Sequence, residues 1–242
     1  MKVEMQGRRL LTAIILYALA LLGIGFGAFH AGRQTFRRTN YSVFLPSDIV
    51  AETEGYPWRG GSNPLAVMVV YGDFECEYTR KMDRMADTLL DLYPDGELRI
   101  ITKIRPLSSK PFRRLRARAG YAAHLQGKFY EMRSELQKIS LPQDERDRIS
   151  RLEEHIMSCA KRVGLDLEKF SVDLQSSKVT ELIEQTISET SEYGIHACPS
   201  ALFEGVVYEG ARPVSFLMPK IEASIQSHFE QPADCRTCDD QS

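Results

Sequence analysis

Five cysteines carry the most legible chemistry in this 242-residue chain, and each stands in a different local context. Cys76 falls where an apolar run ends and a helical pattern begins. At a helix N-terminus, unpaired backbone N–H groups and the positive end of the dipole stabilise an anion, so its thiol is expected to be acidified and nucleophilic. Glu75 and Glu77 flank it, and their charges oppose that effect. Cys159 lies on an apolar helical stripe, the place of a small buried hydrophobe. Cys198 stands between His196 and Pro199 in a short loop-like segment, and Cys235 and Cys238 have the C-x-x-C spacing used for redox pairs and for half of a metal site. Five irregularly spaced cysteines are too few to staple a disulfide scaffold of this length, so they are read one at a time.

The elements that must position these groups are visible in the hydrophobic pattern. Ala66 to Tyr71 is a nearly continuous β-rich apolar run, which suits a strand buried on both faces. From Tyr78 to Tyr93, Met82, Met85, Leu89 and Leu92 recur at helical spacing until Pro94-Asp95-Gly96 stops the helix. Leu98 to Ile104 reads as a second strand, and a strand-helix-strand order implies a parallel pair with a right-handed crossover. Between Pro111 and Tyr193 only helical periodicity is found: Phe112, Leu115, Ala119, Ala122 and Leu125, then Leu152, Ile156, Cys159 and Val163, then Ile183 and Ile187. Ser140 to Asp147 reads as a loop within this block. After Pro199 come two short runs split at Glu204-Gly205 like a β-hairpin, then a last helix from about Pro213 to Phe229.

The run from Leu10 to Phe29 contains no charged residue, and about 20 apolar residues at 1.5 Å rise span a bilayer core. The expectation is a single transmembrane anchor over residues 10–31 behind a short flank (1–9). The rival is a cleaved signal peptide with secretion of the domain, but such peptides have apolar regions of only about 7–15 residues. Lys2, Arg8 and Arg9 on one side balance Arg33, Arg37 and Arg38 on the other, so charge does not set the orientation. Residues 32–63 read as a polar spacer, 64–229 as the folded domain, and 230–242 as a polar tail. A composition of 43% hydrophobic and 26% charged residues excludes a disordered chain, and a net charge of −2 gives no reason to expect nucleic acid. The arginines of Phe112 to Arg118 avoid the apolar stripe and read as a solvated helix face. No small-molecule cofactor motif is present, so no cofactor is expected.

The stretch Asp73-Phe74-Glu75-Cys76-Glu77-Tyr78-Thr79 resembles the DFECPYC motif of DsbA-like thiol-disulfide oxidoreductases, with Glu77 in place of the family's proline and Thr79 in place of its second cysteine. Ile104-Arg105-Pro106-Leu107, then Gly120-Tyr121-Ala122-Ala123 with Gln126-Gly127-Lys128-Phe129, then Gly194 to Ser200 follow in the family's order; the last resembles its G-V-x-G-T-P-T loop, whose proline is cis. The resemblance runs from about Pro64 to Phe229. It implies an α/β thioredoxin fold with an inserted helical domain over about 111–193, on the extracytoplasmic, periplasmic side of the membrane.

It also implies site roles. Cys76 becomes the catalytic nucleophile, Glu77, Tyr78 and Pro199 meet an extended substrate, and a cysteine-bearing protein is the substrate or redox partner. Thr79 can donate a hydrogen bond to the Cys76 thiolate but cannot exchange disulfides. The residue before the cis-proline lies against the active-site cysteine in such folds, so Cys198 is either a resolving thiol or a small filler. An alternative reading is a non-catalytic module that binds a partner protein, or a soft metal through Cys76, His196 and Cys198. The last helix of such a fold runs away from the active-site end, so Cys235 and Cys238 are expected to pair locally or face a partner, with no functional role and a second redox pair as the alternatives.

Overall fold

The computed structural model describes residues 42–44, 53–140 and 145–230. The expected anchor at 10–31 and the Cys235–Cys238 tail lie outside the described residues, and among those described no helix is long and apolar enough to cross a membrane. The elements, in chain order, are β1 (Ser42–Phe44), β2 (Trp58–Gly60), β3 (Ala66–Gly72), α1 (Glu77–Leu92), β4 (Leu98–Ile104), five helices, a hairpin and a final helix. The helices are α2 (Pro111–His124), α3 (Phe129–Leu136), α4 (Glu145–Val163), α5 (Leu167–Asp173) and α6 (Ser177–Glu192). The hairpin is β5 (Ser200–Phe203) with β6 (Val206–Glu209), and the chain then forms α7 (Val214–Glu230).

The six strands lie in the order β1-β6-β5-β3-β4-β2. β3 and β4 run parallel, pairing Ala66 with Leu98 through Gly72 with Ile104, and every other pair is antiparallel. The side-chain period of two sends alternate β3 residues to opposite faces. Met68 and Val70 join Leu98, Ile100, Ala201 and Phe203 under α1 and α7, against Met82, Met85, Leu89, Leu217 and Ile221. Val69 and Tyr71, with Ile101, Ile104, Leu202 and Val207, turn to the helical block. A strand covered on both faces needs the near-continuous apolar run seen in the sequence.

Two expectations change here. The polar spacer supplies both sheet edges: β1 pairs with β6, and β2 pairs with β4. Single short strands of three residues have too little pattern to register against a polar background. Leu92, counted on the α1 stripe, is exposed at the last residue of the helix. In the helical block, Leu152, Ile156, Cys159 and Ile183 are buried as their spacing predicts, and Val163 and Ile187 pack against them partly covered.

Candidate functional site

β3 ends at Gly72, and the chain turns through Asp73, Phe74 and Glu75 into α1, with Cys76 as its N-cap residue in an extended conformation. The Cys76 side chain makes no capping bond to the helix. It points across a cleft, where its thiol donates to the backbone carbonyl of Cys198 at 3.3 Å. The Cys198–Pro199 peptide is cis. Cys76 and Cys198 are both free thiols and both half-buried. The structure thus brings together the two cysteines that stand 122 positions apart in sequence.

Thr79 is buried one turn into α1 and completes the cluster differently from expectation. Its hydroxyl accepts the Asp73 backbone N–H at 3.2 Å and lies 3.5 Å from Cys198 Sγ, so its sulfur partner is Cys198. Burial pushes the Cys198 thiol up to about 12; the Thr79 hydroxyl pulls it down, and the charge of Cys76 pushes it up further. Space for Thr79 comes from Gly72, where an added Cβ would stand 2.7 Å from Thr79 Cγ2. Glu77 and Tyr78 are exposed at the rim, and Pro199 is buried at the base of the cleft.

The loop bearing Cys76 is held by charges the sequence reading placed in solvent. The buried Asp73 carboxylate accepts from the Glu75 N–H at 2.7 Å, the Leu107 N–H at 2.8 Å and Arg113 at 2.6 Å. Arg116, also buried, faces Glu75 with its Nε at 2.9 Å and donates to the Leu136 and Ile139 carbonyls at 2.9 and 3.0 Å. The arginine run is therefore a clamp at Arg113 and Arg116, with Arg114 and Arg118 reaching Glu184 and Thr180. Burial lowers the Arg116 guanidinium from its usual range, and the neighbouring Glu75 and Asp73 oppose that. Phe74 fills the core beside Phe129 and lies over Gly120, where an added Cβ would meet its ring at 2.9 Å.

On the other side of the cleft, Arg105 donates to the carbonyls of Ile195 and His196, the latter at 3.0 Å, and so fixes the loop that carries Cys198. Below it, Lys103 is fully buried and pairs with Glu189 at 2.5 Å; Glu189 also accepts the Tyr71 hydroxyl at 2.7 Å. The soft-metal set of Cys76, His196 and Cys198 is not assembled: His196 is exposed, and no group of three or more potential ligands converges among the described residues. The His196 carbonyl accepts from Arg105 at 3.0 Å. Asp73, Arg105, Arg113 and Arg116 went unrecognised as site residues. The paired acids at 73 and 75 against arginines at 113 and 116, one helical turn apart, are the signal that was present in the sequence.

Residues 116–211 match the thioredoxin family model. A thioredoxin-like oxidoreductase from Silicibacter pomeroyi DSS-3 superposes with a TM-score of 0.61 at 24% identity, over 72% of this chain and 94% of that one. The thiol-disulfide exchange protein α-DsbA2 from Wolbachia pipientis gives 0.59 at 18%, over 70% and 87% of the two chains. BdbD from Bacillus subtilis gives 0.60 at 15%, over 77% and 98%. The fold is thioredoxin-like, as in these structures. Among curated proteins, the Na(+)/H(+) antiporter NhaA of Herminiimonas arsenicoxydans is 31% identical over 166 residues, covering 69% of this chain and 25% of the antiporter. The ClpXP adapter protein SpxH of Staphylococcus aureus is 36% identical over 127 residues, 48% of this chain and 46% of the adapter. The chain thus spans a quarter of the first relative and under half of the second. The Cys76 loop follows the end of β3 and the Cys198–Pro199 loop leads into the start of β5, which pairs antiparallel with β3.

Proposed function

We propose that this chain is a thiol-disulfide exchange protein, anchored by residues 10–31 with its DsbA-like domain on the extracytoplasmic side, in which Cys76 attacks and Cys198 resolves. The observation that carries the reading is the contact of the Cys76 thiol with the Cys198 backbone at 3.3 Å, which sets a second thiol beside the first without a C-x-x-C pair. Cys76, as thiolate, attacks one sulfur of a substrate disulfide; a Cys76–substrate disulfide forms and the other substrate sulfur leaves as a thiolate. Cys198 gives its proton to that thiolate or to water and attacks Cys76 Sγ. The mixed disulfide breaks, its substrate sulfur leaves and is protonated, and two electrons have passed from the cysteine pair to the substrate. Run in reverse, the same steps oxidise a substrate dithiol, and an external dithiol or disulfide resets the pair.

Charge makes the order of steps self-consistent. Burial holds Cys198 protonated and a negative charge on Cys76 adds to that; once Cys76 is in a mixed disulfide the charge is gone, and the Thr79 hydroxyl offsets part of the burial in favour of the Cys198 thiolate. Pro199, Tyr78 and Glu77 line the approach of an extended substrate segment. The test is acid-quenched differential alkylation with peptide mapping, alongside disulfide reductase turnover. A Cys76–Cys198 link on oxidation, with turnover abolished in Cys76→Ser, supports the reading; turnover that persists in Cys76→Ser rejects it.

A second reading is favoured by the likeness to SpxH, whose name describes an adapter. On that reading the cleft binds a partner protein without exchange, and Cys76→Ser leaves partner capture intact.

A further inference from the structure

Beside the Cys76 loop, where α1 meets the helical block, lies a cavity of about 210 Å³ whose walls include Phe74, Glu75, Arg80, Arg116, Gln137 and Arg148. Three guanidinium side chains and one carboxylate therefore face the same space. The carboxylate is committed, since Glu75 stands against Arg116 Nε at 2.9 Å. Arg116 itself is spent, with its other donors on the Leu136 and Ile139 carbonyls. Arg148 forms a wall, its guanidinium 4.8 Å from the centre of the Phe112 ring. Arg80 differs from these: one of its nitrogens donates to the Gln137 carbonyl at 3.1 Å, a neutral partner, and it forms no ion pair among the described residues.

A pocket this small is below the roughly 300–1,000 Å³ of small-molecule sites, but it admits one anionic group. A guanidinium presents paired donors that match a carboxylate. Arg80 lies four residues beyond Cys76, one turn and about 6 Å further along α1. An extended chain advances roughly 3.3–3.6 Å per residue, so the second neighbour of a substrate cysteine lies about 7 Å from it.

We propose that this cavity receives an aspartate or glutamate side chain of the protein substrate, placed two residues from the cysteine that Cys76 engages, with Arg80 as its ligand. The assignment deepens the thiol-exchange reading and rests on it for the position of the substrate cysteine. It makes the chain selective for acidic cysteine-bearing segments, a selectivity that salt weakens because Arg80 is exposed.

The test uses the full-length chain and paired peptides with aspartate or asparagine two residues before or after a central cysteine. Exchange rate is measured with the peptides as disulfides, and affinity by fluorescence anisotropy with serine in place of the cysteine. The aspartate peptide is expected to exchange and bind about five-fold better than the asparagine peptide at low salt, the scale of one solvent-facing ion pair. The preference is lost in Arg80→Gln, partly kept in Arg80→Lys, and reduced in 0.5 M salt. Reaction with iodoacetamide, which is uncharged, stays as in the unaltered chain. Equal rates and affinities for the two peptides, or a preference that survives Arg80→Gln, overturns the subsite. If no peptide exchanges but the Arg80-dependent binding preference is present, the subsite stands and the thiol-exchange reading falls.

Discussion

Thr79→Val separates the two sulfurs in a single measurement. The change keeps the branched shape under Gly72 and removes only the hydroxyl that accepts from Asp73 N and lies 3.5 Å from Cys198 Sγ. A hydrogen bond to a charged group contributes about 1.5–3 kcal/mol, and the long sulfur contact argues for the lower part of that range. Taking about 1.5–2 kcal/mol, the Cys198 thiolate is disfavoured about ten- to thirty-fold, and resolution slows by that factor. Attack by Cys76 is expected to keep its rate, because the hydroxyl's sulfur contact is with Cys198. The assay is stopped-flow reaction with an aromatic disulfide in a Cys235→Ser, Cys238→Ser background. Cys76 releases the first equivalent of coloured thiolate and Cys198 the second. Thr79→Val should leave the first phase unchanged and slow the second ten- to thirty-fold, and Thr79→Ser should restore it. The orphaned Asp73 N–H also costs about 1–3 kcal/mol of stability, so urea unfolding is run in parallel. If the second phase proceeds at the unaltered rate in a folded Thr79→Val chain, Thr79 does not act on Cys198.

Cys198, raised from 9.0 to about 12, stays protonated at neutral pH. Its alkylation in the resting chain should therefore rise about tenfold per pH unit through pH 10 without a plateau, since the thiolate fraction climbs at that rate below the pKa; a plateau near pH 8 contradicts the burial argument. Because that shift is upward, the neutral thiol adds stability that is complete below pH 9 and is lost as pH rises toward 12. Gly120→Ala drives a methyl into the Phe74 ring at 2.9 Å, and overpacking of this kind costs about 1–3 kcal/mol, read as a lowered urea midpoint with the active-site loop loosened. Lys103→Met leaves the half-buried Glu189 without its cation, which destabilises by up to about 3 kcal/mol, and the double change with Glu189→Leu should recover most of that loss.

The sequence by itself determined the central elements of the fold and the position of Cys76 at a helix start. The buried parallel pair of β3 and β4, the α1 stripe and the 200–209 hairpin depend on local periods of 2 and 3.6, which neighbouring residues along the chain reveal without any knowledge of packing. Cys76 was legible for the same reason: the strand-to-helix turn that carries it is a local event. Only the tertiary structure decided what the thiol meets. Cys198 comes within reach because β5 pairs antiparallel with β3, a contact between segments more than 120 positions apart, and Thr79 turns toward it because Asp73 N–H and Gly72 leave that direction open. Charge was the least legible property. Arg113 and Arg116 look like a solvated face until α2 is docked against the Asp73–Glu75 loop, because a guanidinium is buried or exposed according to whether a carboxylate from elsewhere in the chain arrives to meet it. The edges of the sheet likewise depended on partners: three residues at 42–44 and three at 58–60 become strands only where β6 and β4 offer unpaired backbone groups.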